Sequence, residues 1–156
     1  MAPGEAGELT ITTLGIEAMP LLRFRTGDIC RKHGERCACG RNTYRLGPII
    51  GRKHQMIKYK GTTVYPPALC NVMDNAPEIK RYVIEVCSNE YDNDEVIVRY
   101  EASEKLNMKA LVDHFKTKVR VTPQLIATSP EELDKLMFPP MSRKPIKFID
   151  NRSRHF

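Results

Sequence analysis

Four residues in the first third of this chain have the types and the spacing of a metal site. Cys30, His33, Cys37 and Cys39 form the pattern C-x2-H-x3-C-x-C. Three thiolates and one imidazole make a complete tetrahedral zinc set, and four protein ligands leave no open position on the ion. The predicted role is therefore structural. Gly34 and Gly40 supply the tight turns that so short a loop needs. The same residues also read as free thiols beside a surface histidine. A redox site is disfavoured, because C-x-C is not the C-x-x-C of thioredoxin-like chemistry. Cys70 and Cys87 have apolar neighbours and are predicted core residues.

A second chemical signal overlaps the first. Between positions 23 and 60 lie Arg23, Arg25, Arg31, Lys32, Arg36, Arg41, Arg45, Arg52, Lys53, Lys58 and Lys60, opposed only by Asp28 and Glu35, in a chain of net charge +6. Such a field attracts phosphates, and nucleic acid, a nucleoside triphosphate and coenzyme A all carry them.

These residues must be positioned by a small fold. At 156 residues, 41% hydrophobic and 28% charged, the chain is that of a globular protein of one or two small domains. It has no apolar run near the roughly 20 residues of a membrane span. Met1 to Glu5 offers neither a basic nor an apolar leader, so a cytoplasmic location is expected.

The alternating segment 7–14 predicts a strand, 21–25 a second one, 28–45 a metal loop, and 49–52 a return to extended chain. A domain boundary is expected at Lys53-His54. Beyond it, residues 55–65 predict a hairpin turning at Gly61, and Pro66-Pro67 opens a helix that ends before Pro77. Strands are expected at 79–86 and 95–100, joined by the acidic turn 88–94. Ser103 is the expected cap of an amphipathic helix carrying Leu111, Phe115 and Val119. A strand at 125–127, a helix opened by Ser129-Pro130, an exposed loop at 138–145 and a last strand at 146–150 complete the pattern. The fold class is α+β: a short β segment with a metal loop, then a small α/β sandwich.

Three separated motifs add a resemblance. Pro20-Leu21-Leu22-Arg23-Phe24-Arg25-Thr26-Gly27-Asp28, then Gly51-Arg52, then Arg143-Lys144-Pro145 resemble, in that order, the last part of an adenylate-forming acyl-CoA ligase, closest to the phenylacetate-CoA ligase group. The resemblance implies that residues 1–52 close a large adenylation domain and that 53–156 form its mobile C-terminal domain of the adenylate-forming ligase type. It implies ATP, Mg and CoA as cofactors beside the structural Zn, and phenylacetate or a similar carboxylic acid as substrate.

The resemblance assigns roles residue by residue. Asp28 takes the ribose hydroxyls, and a carboxylate with two acceptor oxygens suits a diol. Arg52 contacts the nucleotide, and His54 stands at the pivot, where the family commonly has an acidic residue or Lys. Gly61, in Lys58–Pro66, resembles the tip of the hairpin that lines the pantetheine tunnel. Lys144 bridges carboxylate and α-phosphate oxygens, with Lys147 as the second candidate; Arg143 and Pro145 flank Lys144 where the family has glycine and a small residue. A glycine- and serine-rich phosphate loop and an acyl pocket are absent from the chain, so the large ligase domain is an expected partner and the chain alone is expected to be inactive. No membrane partner is expected.

Two readings from other classes stay beside this one. A stand-alone zinc module binding nucleic acid or another polyanion would use the basic face, although Phe24, Tyr44 and Tyr59 form no stacking platform and no recognition-helix pattern is present. A regulatory small-molecule domain is suggested by the alternating strands and helices of residues 61–127.

Overall fold

The computed structural model describes residues 1–35, 37–91 and 93–152; Arg36 of the basic run and Asp92 of the acidic turn lie outside the described residues. The chain forms two compact units, Met1–Met56 and Ile57–Phe156.

The first unit is an antiparallel sheet of β1 (Ala6–Ile11), β2 (Phe24–His33) and β3 (Arg45–Arg52), in that spatial order, followed by a 3-10 turn at Lys53–Gln55. Its interior is thin: Ile29, Cys30 and Gly51 are its buried residues. The expected loop from Asp28 is corrected here, since β2 runs on through His33. Ile29 and Cys30 pair with Gly51 and Ile49 of β3, and this cross-strand pairing holds extended a segment whose cysteines, glycines and charges carry little alternation of their own.

The second unit is built on a four-stranded sheet. The central hairpin pairs β6 (Ile79–Ser88) with β7 (Asp94–Ala102) antiparallel. A parallel strand is added at each side, β8 (Gln124–Ala127) on β7 and β9 (Phe148–Asp150) on β6. On β6, Tyr82, Ile84 and Val86 point to one face, where they pack with Leu69, Val72 and Met73 of α1 (Pro66–Asp74) and Leu111, Phe115 and Val119 of α2 (Met108–Val119). Val83 points to the other face and packs under Leu133 and Met137 of α3 (Pro130–Met137). Burial on both faces explains why β6 reads as a nearly continuous apolar run.

Local chemistry sets the element ends. Pro66 and Pro130 stand in the first turns of α1 and α3, where their missing N–H is not needed. Ser129 caps α3 by accepting from Glu132 N at 3.3 Å. The cap expected at Ser103 is corrected to Asn107, whose Oδ1 accepts from Ala110 N at 3.1 Å. Ser103 is held elsewhere, its N–H donating to Glu78 O at 2.9 Å. β4 (Ile57–Tyr59) and β5 (Thr62–Val64) form a hairpin whose two turn residues, Lys60 and Gly61, both have positive φ, 46° and 79°. That is the geometry of a type I′ turn, which matches strand twist and favours glycine. Among the described residues no helix is long and apolar enough to cross a membrane.

Phe115 is fully buried between α2 and the sheet. Phe115→Ala is expected to lower unfolding free energy by about 3–5 kcal/mol in chemical denaturation followed by circular dichroism, and a loss below about 1 kcal/mol would contradict this packing.

Candidate functional site

Asp28 is displayed by a bulge. Glu8 pairs with Ile29 and Thr10 with Arg25, so β2 advances further than β1 between these pairs and pushes Thr26-Gly27-Asp28 out against Leu9. Gly27 takes the left-handed conformation this requires, with φ at 77°. Thr26 locks the bulge: its hydroxyl donates to Leu9 O at 3.1 Å and accepts from Asp28 N at 3.1 Å. On the other side, Asp28 lies in register with Arg52 of β3, whose Nε is 3.4 Å from Asp28 Oδ1. The Asp28 side chain is 21% exposed and that of Arg52 61%. A partly exposed carboxylate held this way can accept hydrogen bonds from a hydroxylated ligand while the guanidinium faces an anion.

Part of the basic run is neutralised locally. Arg25 is ion-paired to Glu8, which also receives Lys53 at 3.4 Å. The hydrogen bond from Arg25, joined by Lys53, holds the Glu8 carboxyl below the usual glutamate range. Lys32 lies over the ring of Tyr44, 3.5 Å from its centroid.

The four residues predicted from spacing as a zinc set are spread over the end of β2 and the turn after it. Cys30 is buried within β2, and His33 is an exposed residue at the end of the same strand, three positions on. Strand alternation turns two such side chains to opposite faces. Cys37 and Cys39 approach each other, Sγ to Sγ at 3.0 Å, and that hydrogen bond lowers the pKa of the Cys37 thiol. Among the described residues no group of three or more His, Cys, Asp or Glu is placed to hold a metal. The structural zinc expected at Cys30, His33, Cys37 and Cys39 is thus not shown by this arrangement.

In the second unit, Gly61 forms the tip of the β4–β5 hairpin beside an open cleft of about 580 Å³, lined by Tyr59, Lys60, Gly61, Asn89, Asn93 and Gln124 among others. The two candidate lysines differ sharply. Lys144 sits on the exposed loop before β9, its carbonyl accepting from Ser142 Oγ at 2.7 Å; no side chain among the described residues engages its ammonium. Lys147 is committed: Nζ is 2.8 Å from Asp74 Oδ1, 3.2 Å from Tyr82 Oη and 4.7 Å from the centroid of that ring. The Lys147 bond holds the Asp74 carboxyl below its ordinary value, while burial and Asp74 push the Tyr82 phenol up. His54 lies exposed in the 3-10 turn next to Arg52. Asp28 and Arg52 thus meet within the first unit, and Gly61 and Lys144 belong to the second. Thr26 stands inside the Pro20–Asp28 motif without a role assigned to it there, and Glu8 carries no motif signal; alternation places Glu8 on β1, and only strand register brings it to Arg25.

No family model matches the chain. Over 101 residues it is 42% identical to the phenylacetate-coenzyme A ligase of Thermus thermophilus, a match taking in 65% of this chain and 23% of that protein. The chain belongs to the phenylacetate-CoA ligase family. The phenylacetate-coenzyme A ligase of Aromatoleum evansii is 30% identical over 106 residues, 67% of this chain and 23% of the relative. The fold agrees: a crystal structure of 2-hydroxyisobutyryl-CoA ligase in the postadenylation state with 2-HIB-AMP overlays with a TM-score of 0.72 at 20% identity, over 97% of this chain and 33% of that one. The chain therefore spans less than a quarter of the length of these curated relatives. The alternative of a zinc-dependent nucleic-acid module is not supported. Among the described residues no metal-holding group is found, Arg25, Arg52 and Lys53 of its basic face already have carboxylate partners, and the relatives are ligases.

A carboxylate depressed by folding contributes stability that is present above its unfolded pKa and is lost as pH falls through the folded one. Thermal unfolding of the chain between about pH 6 and about pH 3 should accordingly drop more steeply than that of Glu8→Gln, and parallel curves would show that the Glu8 contacts do not persist in solution.

Proposed function

We propose that this chain supplies the C-terminal part of an ATP-dependent acid–CoA ligase acting on phenylacetate or another small carboxylic acid. What carries this reading is Asp28, presented by the bulge and held by Arg52, in a chain of this family. In such a reaction a carboxylate oxygen bonds to the α-phosphorus of ATP as pyrophosphate leaves. The CoA thiol then gives up its proton, bonds to the acyl carbon and displaces AMP.

Each proposed residue has a task that its chemistry fits. Asp28 accepts hydrogen bonds from the ribose hydroxyls, and Arg52 fixes that carboxylate while facing the phosphate. The ammonium of Lys144, which no side chain among the described residues engages, bridges the substrate carboxylate and the α-phosphate, stabilising charge that grows as the new bond forms. Lys147 is held by Asp74 and Tyr82 and serves the fold instead. Gly61, without a side chain, lets the hairpin backbone lie along the pantetheine arm. Mg accompanies ATP as the counter-ion of its polyphosphate. Residues 1–52 act as the end of the large domain and 53–156 as the mobile domain, with the acid pocket and further ATP contacts supplied by the rest of the ligase. ATP and CoA as substrates suit a cytoplasmic enzyme.

The test is a chimera in which this chain replaces the matching segment of the Thermus thermophilus ligase. Phenylacetyl-CoA formation is expected from the chimera and not from the isolated chain. Lys144→Ala should lower adenylation by about 100-fold or more, as loss of one charge-stabilising donor does, whereas Lys147→Ala stays within a few-fold. Asp28→Ala should raise KM for ATP by about tenfold or more, the scale of one lost charge-assisted bond. A folded chimera insensitive to Lys144→Ala and Asp28→Ala would sink the assignment.

A further inference from the structure

The Gly61 hairpin is tied down from a distance. β4 and β5 pair Tyr59 with Thr62 across the two-residue turn, so Tyr59 is a hydrogen-bonded position and Lys58, opposite Thr63, is not. The Lys58 N–H consequently points away from β5, where it donates to Asp94 Oδ2 at 2.6 Å. Asp94 opens β7, and the same oxygen receives Arg152 Nη1 at 3.0 Å.

Arg152 in turn is gripped at its other edge. Its Nε and Nη2 donate to the two oxygens of Asp150, each at 2.8 Å. A guanidinium has a planar, rigid fork of donors, so two of its nitrogens can be spent on Asp150 while the third is aimed elsewhere. Asp150 ends β9 and Asp94 begins β7, the two strands that flank β6. The Arg152 side chain therefore reaches past the end of β6 and joins both of its neighbours. Arg152 and Asp94 are 11% and 12% exposed, so solvent screens this contact far less than a surface pair. The bonds made by Arg152 and Asp150 keep the Asp94 carboxylate in one place, and that carboxylate keeps Lys58 in one place, two residues before the turn.

We infer that Asp94 and Arg152 are positioning residues for the Gly61 hairpin, acting through the Lys58 amide, and that they support thioester formation rather than adenylation. The second half of this inference rests on the role proposed above for Gly61; the first half does not. A general structural role would spread the effect of a mutation over the unit. A positioning role confines it to residues 57–64.

The experiment uses Arg152→Gln in the full chain. This variant leaves the acceptor of Lys58 in place and removes only its clamp. Amide exchange at Lys58 is expected to speed up about tenfold or more, and the order parameters of Lys60 and Gly61 to fall from the rigid range to below about 0.6. Exchange in α2 around Phe115 should stay as in the wild type. Unchanged Lys58 exchange and a rigid Gly61 in folded Arg152→Gln would overturn the inference. If Arg152→Gln loses protection throughout α2, Asp94→Asn is read by the same two measures; it keeps an oxygen for Lys58 but no charge for Arg152.

In the chimera described above, Arg152→Gln should slow thioester formation about tenfold while acid-dependent pyrophosphate exchange stays within about twofold. A loosened hairpin with both half-reactions unchanged would overturn the catalytic half and leave the positioning half standing. Inactivity of the unmutated chimera would count against the proposed function alone.

Discussion

The double-sided burial of β6 is the constraint on which the second unit depends. Tyr82, Ile84 and Val86 need cover on one side and Val83 on the other, so the sheet can be neither a two-layer arrangement nor an open face. α1 and α2 meet the first need and α3 the second. β6 also pairs at both edges, antiparallel to β7 and parallel to β9. With both faces and both edges occupied, the strand is a fixed reference for every loop around it. The chain after α3 must cross back to reach β9, and that crossing is the exposed loop bearing Lys144.

The first unit follows a different physical logic. Three buried residues among those described cannot fix a shape by packing alone, so backbone pairing and charge take over. The bulge is held by a hydroxyl between two strands, and the carboxylates of Glu8 and Asp28 are set among arginines and a lysine. What a run of basic residues does thus depends on which are already answered. Arg25 and Lys53 have Glu8, and Arg52 shares Asp28.

Much of the second unit is legible in the sequence because its signals are local. Ser129-Pro130 marks the start of α3, and Gly61 between two short apolar segments marks the hairpin turn. The misses are long-range. Both Ser103 and Asn107 are good caps, and Asn107 takes the position because Ser103 ends the strand hairpin, its N–H donating to Glu78 O, and opens a separate turn in which Leu106 N donates to Ser103 O, so the helix begins only at Met108. The extent of β2 follows from its pairing with β3 rather than from its own composition. The cysteine and histidine spacing suggests a ligand set only while the segment is taken as a loop; as a strand it separates Cys30 from His33. Asp28 and Arg52 are legible as motif residues, but their pairing is a matter of register. Arg152 and Asp94 are 58 residues apart, and nothing local joins them.

The order of the strands has a consequence for how the molecule is made. The β6–β7 hairpin is local and can pair as soon as residue 102 is available, and β8 follows after α2. β9 is the last strand of the described chain, so β6 stays an open edge until synthesis reaches residue 150, with α3 only just in place over Val83. During that interval an apolar strand with unpaired backbone groups is exposed to pairing with other chains. Addition of residues 148–152 therefore does two things at once: it closes this vulnerable edge and brings Arg152 to Asp94.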